Sequence, residues 1–247
     1  MSAANSLKKL LGLKTTPVAI TFLDAPPANV KHVAAPGPSS CTYWKRAADG
    51  EVFYTDAADH LNCPIGAYTH GVDLPAAQQA ELQGVVGTMV SLGYLRMAEV
   101  PNIPKRDVPF GVAVYAPLER TPVEPDVVLV CGNARQTMLL EEAAQAAEVG
   151  GGAALIGRPT CAALPAAIQS QRGVASLGCI GNRVYTEMAD EELYYAVPGR
   201  HFAAVVQKLA EIVNANRELE KYHRARVAVL APLPLVERGM QILPIDN

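Results

Sequence analysis

Apolar residues fall along this chain in two kinds of block. Pro17-Val18-Ala19-Ile20-Thr21-Phe22, Gly111-Val112-Ala113-Val114-Tyr115 and Asp126-Val127-Val128-Leu129-Val130-Cys131 are short and rich in β-branched residues, and proline, glycine or aspartate bounds them. They predict strands over 17–22, 110–115 and 126–131. The third is almost wholly apolar, as strands covered on both faces are. A shorter strand is predicted over Glu51–Tyr54, after the turn signal Asp49-Gly50.

Other stretches carry helical spacing. Ser6 to Leu11 predicts a short amphipathic helix with a serine cap, and 41–48 predicts one or two turns capped by Ser39 or Ser40. Pro75 to Leu95 predicts a long helix, with Leu82, Val85, Val86, Met89, Val90 and Leu92 giving so broad an apolar face that much of it should be buried. Ala134 to Val149, capped by Asn133, and Gly199 to about Arg226 predict two more. Alternating charges at Glu211, Arg217, Glu218, Glu220 and Lys221 mark one face of the last as solvated. Residues 24–40 and 101–109 read as loops, and Glu187 to Val197 as a polar turn and short helix. Val227 to Leu235, apolar and broken by proline, suits an edge strand or a surface tail. The fold class expected is α/β or α+β, a mixed sheet with flanking helices in a single domain over 1–247.

The cysteines suggest an internal order within that domain. Cys41 stands at a predicted helix start, and after 21 intervening residues Cys63 opens Cys63-Pro64-Ile65-Gly66. Cys161 opens an apolar helix-like run, and after 17 intervening residues Cys179 lies in Gly178-Cys179-Ile180-Gly181-Asn182-Arg183. Each pair follows an upstream apolar strand run, 17–22 or 111–115, which suggests two diverged, pseudo-symmetric halves at about 1–108 and 109–247. Glycines beside Cys179 permit a sharp turn and close approach, and Arg183 supplies a fixed positive charge that favours a thiolate.

Composition narrows the chemistry. Half of the 247 residues are hydrophobic and the formal net charge is -3, with no basic run, so nucleic acid is not expected as a partner. The N-terminal stretch lacks an apolar signal core, and no apolar run reaches the ~20 residues of a membrane span, so a cytoplasmic protein without a membrane partner is expected. In the cytoplasm, cysteines read first as packed thiols, metal ligands or redox groups rather than as disulfides. Four thiolates suit a [4Fe-4S] cluster or a structural zinc, although the spacing is not that of a compact ferredoxin or zinc finger. Cys131, inside an apolar strand, reads as a packed residue.

Weaker candidates stand beside the cysteines. His60 and His70 flank Cys63 and could serve zinc or an axial haem position; exposed loop histidines are the plainer reading. Gly150-Gly151-Gly152 lacks the lysine of a phosphate loop and reads as a helix end. Asn133 and Gln136 follow a buried strand, where an α/β sheet binds ligands, and Asn133 is equally suited to a cap. Asn182 and Arg183 follow Cys179. Arg183 suits compensation of thiolate charge, a clamp on a carboxylate or phosphate, or a salt bridge to Glu187 or Asp190.

Several of these segments together resemble one family. Pro17-Val18-Ala19-Ile20, Cys41 with a following alanine and glycine, Cys63-Pro64-Ile65-Gly66, the strand–Asn133–Gln136 junction, Cys161, Gly178 to Arg183, and Asp190-Glu191-Glu192-Leu193 through Pro198-Gly199 are similar to the domain of unknown function 169 family of archaea and bacteria. The resemblance spans most of the chain, and Cys-x-Gly-x-Arg is its most specific part. It implies a soluble cysteine-bearing protein and names no activity. Cys131 lies outside the pattern, which favours Cys41, Cys63, Cys161 and Cys179 as the metal set. The function expected is that of a four-cysteine iron–sulfur protein serving a redox or cluster-assisted reaction on a small molecule, with zinc or haem as alternative cofactors. A tetrapyrrole or small-ligand binder without chemistry of its own, and a thiol redox sensor, remain as alternatives. A small molecule or a redox protein is the partner expected, and a homo-oligomer is compatible with the sequence.

Overall fold

A computed structural model describes residues 3–151 and 159–230. In chain order the elements are α1 (Ala3–Leu11), β1 (Val18–Leu23), β2 (Lys31–His32), α2 (Thr42–Ala48), β3 (Phe53–Asp56), α3 (Pro64–His70), α4 (Ala76–Ser91), β4 (Val112–Pro117), β5 (Val127–Asn133), α5 (Ala134–Ala146), α6 (Ala163–Ser170), β6 (Val174–Ser176), α7 (Ile180–Thr186), β7 (Glu192–Pro198) and α8 (Phe202–Leu230). All seven strands join one mixed sheet in the order β2-β3-β4-β1-β5-β7-β6. Neighbours are antiparallel except β2 and β3.

Alternation along the central strands builds two cores. Val18, Ile20 and Phe22 of β1, with Val127, Leu129 and Cys131 of β5, face Tyr43 and Trp44 of α2 and Leu164 of α6. Ala19, Val128 and Val130 face the other way, onto Leu7 and Leu11 of α1, Leu139 and Leu140 of α5, and Val205 and Leu209 of α8. Successive strand residues point to opposite faces, so a strand covered on both sides has to be apolar throughout. Each fully buried leucine or isoleucine here stabilises the fold by about 1.5–3 kcal/mol relative to exposure. The result is an α/β fold of three layers.

The connectivity runs alike on both sides of the sheet's centre. From β1 the chain passes through Cys41, α2, the outer strand β3, Cys63 and α3, and returns on β4 between β1 and β3. From β5 it passes through Cys161, α6, the edge strand β6, Cys179 and α7, and returns on β7 between β5 and β6. The strand in β1's place is therefore β5, whereas 111–115, matched to β1 on sequence, belongs mostly to its antiparallel neighbour β4.

Three expectations change. Residues 187–197 hold β7 rather than a helix: Leu193-Tyr194-Tyr195-Ala196-Val197 is β-prone and pairs along β5 from Val127↔Pro198 to Asn133↔Glu192. The helix expected over 75–95 ends at Ser91, and none of its residues is buried; α4 packs on α3 and turns Leu82, Val86 and Met89 towards a pocket. Val227 to Leu230 continue α8, while 231–235 lie outside the described residues.

Candidate functional site

The four cysteines singled out by sequence meet in one place. Cys41, Cys63, Cys161 and Cys179 all line a cavity of about 170 Å³, together with Ser40, Thr160, Asn182 and apolar side chains of α3, α4 and the turn after α4. The convergence comes from packing across the two halves. The helix opened by Cys41, α2, rests on α7 of the other half, and the turn carrying Cys161 rests on α3.

Local sequence fixes each sulfur. Cys63 and Cys179 are the N-cap residues of α3 and α7, and their Sγ atoms accept from Gly66 N at 3.3 Å and Asn182 N at 3.4 Å. Sulfur thus stands where a cap oxygen usually satisfies an orphan amide. Pro64 at the first helical position needs no donor partner, and Gly178, at φ +81, makes the left-handed turn into Cys179. A Cβ at Gly178 would also strike Met188 Cε at 2.6 Å. Hydroxyl residues precede the deeper pair. Ser39 Oγ lies 2.9 Å from Cys41 Sγ, and Thr160 Oγ1 accepts from Cys179 N at 2.6 Å, tying the Cys161 turn to α7.

The electrostatics follow depth. Burial pushes the Cys41 thiol up to about 11, against a small lowering by Ser39, and burial pushes Cys161 well above the ordinary value, helped by the neighbouring Cys63. Both shifts favour the neutral thiol. Cys63 and Cys179 are half-buried. No three of the four sulfurs lie within 4.8 Å of one another. The lining residues include no acidic, basic or histidine side chain.

The other sequence candidates lie elsewhere. Cys131 is buried in β5, away from this pocket, and its thiol is pushed up to about 12 by burial and by Glu192. Asn133 and Gln136 form a capping box on α5, and Gln136 Nε2 donates to the carbonyls of Leu11 and Gly12. The ligand-binding rule for strand ends belongs to parallel sheets, whereas β5 is antiparallel to both neighbours, so these two residues bind α5 to the end of α1. Arg183 also stays out of the pocket. Its guanidinium donates to the carbonyls of Ala189 (2.8 Å), Leu177 (2.6 Å) and Glu192 (3.2 Å), and it makes a long ion pair with the exposed Asp190 at 3.9 Å, one of the roles the sequence offered. It pins the chain on both sides of α7 and thereby positions Cys179.

His60 and His70 are enclosed rather than exposed or open to a metal. His60 Nδ1 and Nε2 lie 2.9 Å from Ser40 Oγ and Thr55 Oγ1, and His70 Nδ1 lies 2.7 Å from the Gly66 carbonyl. The rings stack at 4.7 Å and support the wall that carries Ser40 and α3. Gly151 N donates to Glu141 and the Gly150 carbonyl accepts from Arg172, which occupies this glycine run structurally; Gly152 lies outside the described residues. Sequence reasoning missed the group His32, Asp56 and Asp59, a cluster of ligand atoms within 4.8 Å on the far edge of the sheet. His32 Nε2 pairs with Asp59 at 2.8 Å, and Asp59 also caps the Asp56 amide, so the group is satisfied as it stands. Asn182 was grouped with Arg183 on sequence, and of the two it alone lines the pocket.

Fold and site together define an α/β protein that gathers four unpaired thiols into one uncharged pocket. The chain belongs to the domain of unknown function 169 family, described as an uncharacterised ArCR, whose sequence pattern matches residues 6–208. That span takes in all seven strands and all four pocket cysteines, and it ends within the first turns of α8. No curated protein and no solved structure matches the chain. Among the described residues no helix is long and apolar enough to cross a membrane.

Proposed function

We propose that this is a cysteine-ligated metalloprotein of the cytoplasm, in which Cys41, Cys63, Cys161 and Cys179 hold a [4Fe-4S] cluster that serves a redox or cluster-assisted reaction on a small molecule. The observation that carries this reading is the convergence of the four cysteines, two from each half, on one cavity. Four thiolates are the usual ligand set for such a cluster.

Spacing counts against a single zinc ion. Tetrahedral Zn–S bonds of about 2.3 Å require sulfurs about 3.8 Å apart, and no three sulfurs here approach within 4.8 Å. Thiolates around a cubane stand roughly 6–7 Å apart. A cavity of about 170 Å³ also exceeds what one ion needs. Loading releases protons, because Cys41 and Cys161 are neutral thiols beforehand. Amides already aimed at Cys63 and Cys179 stabilise the resulting thiolates, and the apolar roof limits solvent, which tunes a cluster's potential.

The competing readings find less support. Haem would need an open axial histidine, whereas His60 and His70 are enclosed with their nitrogens engaged. A thiol redox sensor built on Cys41 or Cys161 would need an accessible, acidic thiol, and both are buried and shifted the other way. Anaerobic purification followed by iron, acid-labile sulfide and zinc analysis tests the proposal. Iron and sulfide in near-equal amounts are expected; zinc alone, or no metal after reconstitution, overturns it.

A further inference from the structure

Asn182 carries a buried side-chain amide beside Cys41 and Tyr194. It is 2% exposed, and among the described residues neither its nitrogen nor its oxygen makes a well-formed hydrogen bond. A buried amide left unpaired destabilises a fold, so a native one calls for a reason. Its position suggests what that reason is. The residue lines the cysteine pocket, its backbone N–H donates to Cys179 Sγ at 3.4 Å, and its side chain stands beside Cys41. The amide is near enough to favour the Cys41 thiolate, yet it makes no well-formed hydrogen bond to that sulfur. One residue therefore addresses sulfurs of both halves, one through its backbone and one through its side chain.

We infer that the Asn182 side-chain amide is a hydrogen-bond donor held ready for a sulfur-rich occupant of this pocket, donating to the Cys41 thiolate or an adjacent inorganic sulfide once metal is bound. This rests on the iron–sulfur reading above and adds a positioning residue to it. A thiolate or sulfide is a charged acceptor and makes a stronger partner than a thiol. Hydrogen bonds to cluster sulfurs stabilise the more negative, reduced state and raise the potential. The amide should therefore weaken the metal-free protein slightly and strengthen the loaded one.

Those opposite signs make the test. Full-length wild type, Asn182→Leu and Asn182→Asp are reconstituted anaerobically with ferrous iron and sulfide. Leucine keeps the volume and removes both polar atoms; aspartate keeps the shape and, when ionised, loses the donors. Metal-free Asn182→Leu should melt at or above the wild-type temperature. Loaded, both variants should lose iron faster to a chelator, and the reduced state should be disfavoured about tenfold or more, equivalent to about 59 mV or more of lower potential for a one-electron couple. Equal potentials and equal iron retention in wild type and Asn182→Leu overturn the inference alone. A metal-free Asn182→Leu destabilised as much as its loaded form also overturns it, since that marks a purely structural residue. A wild type that takes up neither iron nor sulfide overturns the underlying cluster reading, and this inference with it.

Discussion

Acid should destabilise this protein through two histidines. His60 and His70 are fully enclosed, and their rings stack behind the wall that carries Ser40 and α3. Burial holds His60 well below the ordinary value of 6.5 and brings His70 down to about 4, with Arg106 as a lesser cause at His70. The remaining neighbours are uncharged: Ser40, Tyr43, Thr55 and Phe110 around His60, and Phe22, Thr69 and Tyr115 around His70. Above pH 6.5 both histidines are neutral in either state and contribute no pH dependence. Below it the unfolded chain takes up protons that the folded protein refuses, so stability falls as pH falls. For His70 the interval from 6.5 to about 4 amounts to roughly 3 kcal/mol. With His60 included, the slope approaches that of two protons. A domain stable by 5–15 kcal/mol loses a large share of that before the carboxylates titrate. Denaturant unfolding of metal-free protein at pH 7.5, 6.0 and 5.0, at fixed ionic strength, measures the slope. His70→Gln should reduce it by about one proton. Stability that is flat from pH 7.5 to 5.0, or a variant with the wild-type slope, refutes the reasoning.

Three substitutions separate positioning from ligation. A Cβ at Gly66 would meet Ser40 Oγ at 2.2 Å and Cys63 Sγ at 3.0 Å, so Gly66→Ala should push α3 from the Cys41 loop and lower iron retention several-fold while circular dichroism keeps the wild-type helix content; unchanged retention counts against this geometry. Cys131→Ala should cost about 1 kcal/mol, as loss of a small buried side chain does, and leave metal content as it was; loss of metal would place Cys131 among the ligands. Arg183→Lys gives up the fork that holds three carbonyls and should lower unfolding stability by about 1–3 kcal/mol, with iron per folded molecule unchanged. Unaltered stability with lost ligand binding would return Arg183 to the role of a clamp.

Strand identity was readable where burial on both faces forced unbroken apolar runs, as in β1, β4 and β5. It was not readable in β7, because the acidic Asp190-Glu191-Glu192 precedes Leu193-Tyr194-Tyr195 and masks a strand whose pairing with β5 is set by tertiary contact. The helix α4 failed differently. Its apolar residues fit a buried helix, but they roof a pocket whose occupant sequence periodicity cannot register. The four cysteines stood out because each first cysteine stands at a predicted helix start and a glycine follows each second cysteine closely. Their meeting depended on α2 crossing to α7 and α3 to the Cys161 turn, contacts between elements far apart in the chain. The cap role of Asn133 was legible, whereas the part of Arg183 was not, because backbone carbonyls are invisible as partners in a sequence and its side chain serves three of them.

The central claim is that one pocket joins four cysteines from two halves around one metal group. Its most direct test is the iron and sulfide content of Cys41→Ala, Cys63→Ala, Cys161→Ala and Cys179→Ala, each purified and reconstituted anaerobically beside wild type. The account predicts that wild type binds iron and sulfide in equal amounts and that every one of the four variants loses most of both, whichever half it lies in. Loss confined to one half, or four variants that all retain wild-type iron and sulfide, contradicts it.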